Sequence, residues 1–176
     1  LSKSNIINLE NESLIKLKKI EKRERVDLSN KNSYLFKSWK SNNSPMLPLI
    51  QIDRDNNGSS KLWIHTNNLS ERIELNSKNS LEKFFNCFES FPLLSDWQNY
   101  LSEAVRNACE FKLDGKNEAI SLCLHLNSDN EITKWSFHLT LIKCTLIVGS
   151  DITDALLSRK SKSRITSRLL KPLKEY

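Results

Sequence analysis

The stretch from Ala119 to Val148 constrains the fold of this chain most. Ile120, Leu122, Leu124 and Leu126 alternate with Ser121, Cys123, His125 and Asn127. After a break at Asn127 to Glu131, Trp135, Phe137, Leu139 and Leu141 alternate with Lys134, Ser136, His138 and Thr140. A period of two puts successive side chains on opposite sides of a strand. The pattern predicts a half-buried antiparallel hairpin that turns at Asn127 to Glu131. A second hairpin is expected in LIQIDRDNNGSSKLWIHT, where two apolar runs flank Asp55-Asn56-Asn57-Gly58, a strong turn signal. There Leu62 and Ile64 alternate with Trp63 and His65.

Helical spacing follows between the hairpins. Leu81, Phe84, Phe85 and Phe88 recur on one stripe, and Trp97, Leu101, Ala104, Val105 and Ala108 on the next, closed by Asp114-Gly115. The segment from Asp27 to Pro48 carries Pro45 and Pro48, and proline cannot donate to a sheet ladder, so a loop or edge is expected there. Together these signals predict an α/β (α+β) chain with a mixed or antiparallel sheet and packed helices.

A chain of 176 residues suffices for one domain with its own core. Three spans are expected: a helical linker at 1–24 with Leu14, Leu17 and Ile20 at helical spacing, a domain at 25–157, and a basic helical tail at 158–176. The chain lacks an initial methionine and ends within a helical pattern, so it reads as an excerpt of a longer protein. No apolar run is long enough to span a bilayer, so no membrane partner is expected. The four cysteines, Cys87, Cys109, Cys123 and Cys144, form no paired motif and have no histidine at ligand spacing. They read as reduced thiols of a cytoplasmic protein.

A formal charge of +6 favours polyanionic partners. The densest positive region is the tail, with Arg159, Lys160, Lys162, Arg164, Arg168, Lys171 and Lys174. These cations could neutralise phosphates; the alternative is a solvated helix face. The three histidines, His65, His125 and His138, have no acid at triad-like spacing and read as surface or partly buried strand residues. Asp53 and Asp55 are the nearest carboxylates after the acid-free run that follows Asp27; a turn role is expected of them beside Asn56, Asn57 and Gly58, with substitute metal ligands as the alternative.

The order of motifs resembles the RNB domain of the ribonuclease II and ribonuclease R family, in its cyanobacterial form. The family's Arg-x-Asp-Leu-Thr opening resembles Arg25-Val26-Asp27-Leu28-Ser29. Its strand ending in His-Ile-Ala-Asp resembles the run from Leu62 to Asn68. Its Pro-Met-Leu-Pro segment resembles Phe91-Pro92-Leu93-Leu94, its long hairpin resembles Ala119 to Ile132, and its Leu-Thr-Tyr-Glu segment resembles Ile147 to Leu157. The likeness covers Arg25 to Leu157, the first part of the family's domain.

The resemblance implies processive hydrolysis of RNA from its 3′ end and single-stranded RNA as partner. It also implies Mg²⁺ held by four aspartates in active members. Aligned without gaps from Asp27, those four positions fall on Lys37, Asn43, Pro45 and Met46. None is a carboxylate. No metal ligand, catalytic residue or cofactor is therefore expected in this chain. The expected role is RNA binding by a degenerate nuclease segment; a structural or protein-interaction module is the alternative.

Overall fold

The computed structural model describes residues 15–17, 23–37, 47–56, 58–75, 90–93, 96–99, 103–113, 115–149 and 152. They divide between two compact units, one drawn from 1–22, 41–46 and 68–110, the other from 23–40, 47–67 and 111–176.

The larger unit is built on one seven-stranded sheet. Its strands are β2 (Val26–Asp27), β3 (Ser33–Phe36), β4 (Leu49–Arg54), β5 (Ser60–Asn67), β9 (Asn117–Leu126), β10 (Ile132–Ile142) and β11 (Cys144–Val148). The order is β11-β3-β4-β5-β9-β10-β2. The pairs β11–β3 and β10–β2 are parallel and the others antiparallel, so the sheet is mixed.

Both expected hairpins form. β4 and β5 are joined through Gly58 at φ 84°, a left-handed conformation that glycine adopts without a Cβ penalty. Asp55 accepts the Gly58 amide on its carbonyl at 3.2 Å. At the second turn, Asn127 Oδ1 accepts the amides of Asp129 and Glu131 at 3.0 and 2.8 Å, and Asn130 takes a positive φ of 62°.

The segment expected as loop or edge behaves differently. Ser33–Phe36 is an interior strand between β11 and β4. Pro48 stands just ahead of β4 and does not interrupt its ladder, while Pro45 lies outside the described residues.

The smaller unit holds β1 (Ile15–Leu17), α1 (Leu69–Arg72), β6 (Ile73–Leu75), β7 (Ser90–Leu93), β8 (Asp96–Asn99) and α2 (Glu103–Cys109). β1 pairs antiparallel with β6, and β7 with β8. Two helical expectations change here. Within the 1–24 span Ile15–Leu17 is a strand, and Asp96–Asn99 is a strand ahead of the helix Glu103–Cys109. At these residues backbone pairing, with β6 for Ile15–Leu17 and with β7 for Asp96–Asn99, takes the place of helical hydrogen bonds. Asn68, just ahead of α1, donates from its Nδ2 to the Glu71 carboxylate in the helix's first turn.

The core of the larger unit gathers Leu35, Leu49, Phe111, Ala119, Ile142 and Cys144, with Leu28 and Leu47 packed against them. Leu49 and Ile142 are wholly buried, which stabilises the fold by about 1.5–3 kcal/mol each. A smaller cluster, Tyr34 and Val148 with Leu146 and Ile152, sits on the other face.

The two faces of the sheet hold an inversion. In β9 the buried positions are Asn117, Ala119, Ser121 and Cys123, whereas Ile120, Leu122 and Leu124 are only half-buried. On the partner strand Trp135 and Phe137 are 62% and 66% exposed. The small and polar side of the hairpin lies inward and the aliphatic side is the more open one.

Cys109, Cys123 and Cys144 are buried thiols outside any disulfide, and burial pushes all three upward in pKa, which keeps them protonated and unreactive. The turn expected at Asp114-Gly115 contains Gly115 at φ 90°. Cys87, the stripe from Leu81 to Phe88 and the tail 158–176 lie outside the described residues. No helix among the described residues is long and apolar enough to cross a membrane.

Candidate nucleic-acid interface

The opening motif acts as a clasp. Asp27 Oδ1 accepts the Ser29 amide at 2.9 Å and the Ser29 hydroxyl at 2.6 Å, and Lys116 Nζ reaches Asp27 Oδ2 at 2.7 Å. The Lys116 ammonium and the Ser29 donors hold this carboxyl well below the usual range. Arg25 Nε lies 3.6 Å from Glu118 Oε1, and the Leu28 amide donates to the Leu141 carbonyl at 2.8 Å. Arg25 and Asp27 thus tie β2 and its turn to Glu118 of β9 and to Lys116 just ahead of it, and the Leu28 backbone ties the same turn to β10.

Lys37 follows β3, and its amide donates to the Val148 carbonyl at 2.9 Å. Alternation puts it on the same side as Ser33 and Leu35. This is the first of the four positions where the family resemblance expects an aspartate. Hard divalent cations take oxygen ligands, and an ammonium here supplies repulsion instead. Asn43, Pro45 and Met46, the other three positions, lie outside the described residues, and their side chains offer one neutral amide oxygen among them.

Substitute carboxylates are already engaged. Asp53 Oδ1 takes Lys31 Nζ at 3.2 Å and Gln51 Nε2 at 3.2 Å. Asp55 closes the β4–β5 turn, its Oδ2 accepting the Ser59 hydroxyl at 3.4 Å. Among the described residues no group of three His, Cys, Asp or Glu side chains could hold a metal. The donor set does not fit Mg²⁺.

The side of the sheet that carries Lys37 is ordered by register. One row is Leu49, His65, Ser121 and His138, the next Gln51, Trp63, Cys123 and Ser136, and the third Asp53, Lys61, His125 and Lys134. Wholly buried rather than surface-exposed, His65 shares a 2.7 Å hydrogen bond through Nδ1 with Ser121 Oγ. Ser121 Oγ meets Thr140 Oγ1 at 2.6 Å, and Thr140 donates to the Ala119 carbonyl at 3.5 Å. A carbonyl only accepts, so the chain runs from the Nδ1–H of His65 through both hydroxyls.

Burial pushes the imidazole down to about 4, so His65 is neutral at pH 7. The Trp63 ring stacks on it at 6.2 Å and tilts against His138 at 5.4 Å. His138 Nε2 hydrogen-bonds Ser136 Oγ at 2.8 Å. No carboxylate hydrogen-bonds either ring among the described residues. The arrangement is a packing element without an acid–base pair.

The third row is the accessible one. Lys134 is exposed, and Lys61 and His125 are half-buried. The single acid of the row, Asp53, is held by Lys31. With inter-strand spacing of about 4.8 Å, Lys61 and Lys134 stand about 10 Å apart, a span that two flexible ammonium stems can close around one phosphodiester segment. Sequence reading concentrated on the tail, where Arg159, Lys160, Lys162, Arg164, Arg168 and Lys171 lie outside the described residues. It missed Lys61 and Lys134 because their shared row depends on β5 pairing with β9 across an intervening segment, which no local pattern encodes.

The chain compares with known proteins as follows. A family model described as RNB domain matches residues 25–175. No curated protein matches the chain by sequence. Among solved structures it is similar to Mycoplasma genitalium RNase R in complex with ribose-methylated single-stranded RNA. That match has TM-score 0.68 and 15% identity, over 81% of this chain and 22% of that one. It is similar to an active-site mutant of the Dss1 exoribonuclease from Candida glabrata, with TM-score 0.66 and 17% identity, over 86% of this chain and 22% of that one. It is also similar to yeast Ssd1, a pseudonuclease, with TM-score 0.63 and 16% identity, over 84% of this chain and 18% of that one. At these identities the likeness is one of fold, and the chain spans about a fifth of the length of the structures it matches. The order of the sheet, the clasp built from Arg25 and Asp27, and a match over 25–175 lead to one assignment: the chain belongs to the RNB domain family.

Proposed function

We propose that this chain is a ribonuclease II-like segment that binds RNA and does not hydrolyse it through its own residues. The observation that carries the reading is the ammonium of Lys37 at the end of β3, where the family places a metal-binding carboxylate. Asp53 and Asp55, the remaining acids nearby, are held by Lys31, Gln51 and Ser59. Without clustered carboxylates among the described residues there is no means there of concentrating Mg²⁺ beside a phosphodiester. RNA as partner is supported by the family, by the RNase R relative whose complex contains RNA, and by the row of Lys61, His125 and Lys134. The tail cations Arg159, Lys160, Lys162, Arg164, Arg168 and Lys171 supply further positive charge along the sequence. The likeness to Ssd1, a pseudonuclease, supports a family branch that keeps the fold without the chemistry.

The experiment is fluorescence anisotropy with labelled single-stranded and duplex RNA across a salt series. Binding at low salt should weaken steeply as salt rises, because each neutralised phosphate releases a counterion. The double variant Lys61→Glu, Lys134→Glu should flatten the slope by about two phosphates' worth. Absence of RNA binding at low salt would overturn the reading.

A second reading, a protein-interaction module, is favoured by one observation. Trp135 and Phe137 form an edge-to-face pair at 5.8 Å on the open aliphatic side of the sheet. It becomes the better account when RNA affinity is absent or does not respond to salt.

A further inference from the structure

A cleft of about 580 Å³ opens where β3 begins and β10 passes into β11. It lies at the start of β3, whereas Lys37 follows its end, so it is separate from the position of the lost metal ligands. Its size is within the range of small-molecule sites, about 300–1,000 Å³. Two lysines, Lys31 and Lys143, line it together with Asn30, Asn32 and Thr145, and no aspartate or glutamate does.

The nearest carboxylates are occupied: Asp27 by Ser29 and Lys116, Asp53 by Lys31 and Gln51. Lys143 has no ion pair among the described residues. Leu113 and Ile147, 45% and 36% exposed, also line it. These are large apolar side chains open to solvent inside a cavity.

The walls are pinned in place. The Ser33 hydroxyl donates to the Lys143 carbonyl, and the Ser33 amide to Thr145 Oγ1 at 3.2 Å. The β11–β3 register shifts between Cys144 and Leu146, a bulge that leaves Thr145 as the extra residue. Bulges of this kind re-aim side chains beside functional sites.

A lining that combines cationic and amide groups with exposed apolar side chains fits a ligand with an anionic end and a flat hydrophobic end. We infer that this cleft binds a nucleotide, with its phosphate at Lys143 and its base against Leu113 and Ile147. The ligand is either a free nucleoside monophosphate or one unit of an RNA chain. In the second form the inference rests on the RNA reading above.

The test is titration of the ¹⁵N-labelled chain with adenosine monophosphate, adenosine and inorganic phosphate, following the amides of 30–32 and 143–147, with RNA anisotropy measured in parallel. Adenosine monophosphate is expected to saturate these amides and to bind at least about tenfold more tightly than either fragment, since only the nucleotide engages both walls. Lys143→Glu should weaken it at least about tenfold, Lys143→Arg should preserve it, and Leu113→Ser at an exposed position should weaken it through the apolar wall. Loss of RNA affinity in Lys143→Glu identifies the ligand as a unit of RNA; unchanged RNA affinity identifies a free nucleotide. No saturation by adenosine monophosphate at about 10 mM, or equal binding by Lys143→Glu, overturns the inference even when RNA binds. Nucleotide binding without RNA binding overturns the RNA reading and leaves the cleft standing.

Discussion

His65 is the residue where position and chemistry diverge most. Sequence spacing marks it as a strand histidine of ordinary exposure, yet it is wholly buried and its imidazole is pushed down to about 4 from an ordinary 6.5. Between those two values the unfolded chain holds a proton that the folded chain does not. Stability is therefore fully present above pH 6.5 and is lost as pH falls from there towards 4, by up to about 3 kcal/mol. Urea unfolding across this window should show the decline in the wild type and a flatter line in His65→Gln. Asp27 acts in the same direction at more acidic pH, because its carboxyl is held low by Lys116 and Ser29, so its share disappears only below the usual carboxylate range. Lys37 as the place where the family resemblance expects a carboxylate comes from sequence alone, by counting from Asp27. The burial of His65 was not legible there, because a histidine beside a tryptophan on an alternating strand fits either side of a sheet.

Elements were legible where local chemistry fixes them. The β4–β5 and β9–β10 hairpins follow from Asn, Asp and Gly at their turns, residues that stabilise a reversal without distant partners. At the longer hairpin the Asn127 side chain receives two backbone amides and donates to Glu131 at 3.1 Å. Asn127→Ala should cost about 1–2 kcal/mol, read as a lower urea midpoint at unchanged slope. Elements set by distant partners were not legible. Ser33–Phe36 becomes an interior strand only because β11 and β4 arrive on either side of it. The short pairs β1–β6 and β7–β8 override spacing that suits a helix. The facing of β9 is of the same kind: alternation separates Ser121 and Cys123 from Leu122 and Leu124, and only the packed core decides which set is inside.

At the scale of the whole molecule, the sheet presents two unlike surfaces. One carries the core and ends in Lys61, His125 and Lys134. The other is a wall of half-buried Ile52, Ile64, Leu122 and Leu124 edged by Trp135 and Phe137. Exposed apolar area of that kind attracts apolar dyes and other surfaces. Trp135→Ser with Phe137→Ser, both at exposed positions, should lower anilinonaphthalene sulfonate fluorescence severalfold and leave RNA affinity within about twofold, since the cationic row lies on the opposite side. Fold class was legible at this scale from the hairpins, and family from the order of motifs. The cationic row and the cleft at Lys143 needed strand order, which alternation does not contain.

The central claim is that the lost carboxylates leave a protein that grips RNA without cutting it. Incubating the chain with 5′-labelled single-stranded RNA in Mg²⁺ or Mn²⁺ and resolving the products tests that claim most directly. The account predicts RNA that is retained in complex and remains full length. Release of nucleoside monophosphates that requires the added metal would contradict it.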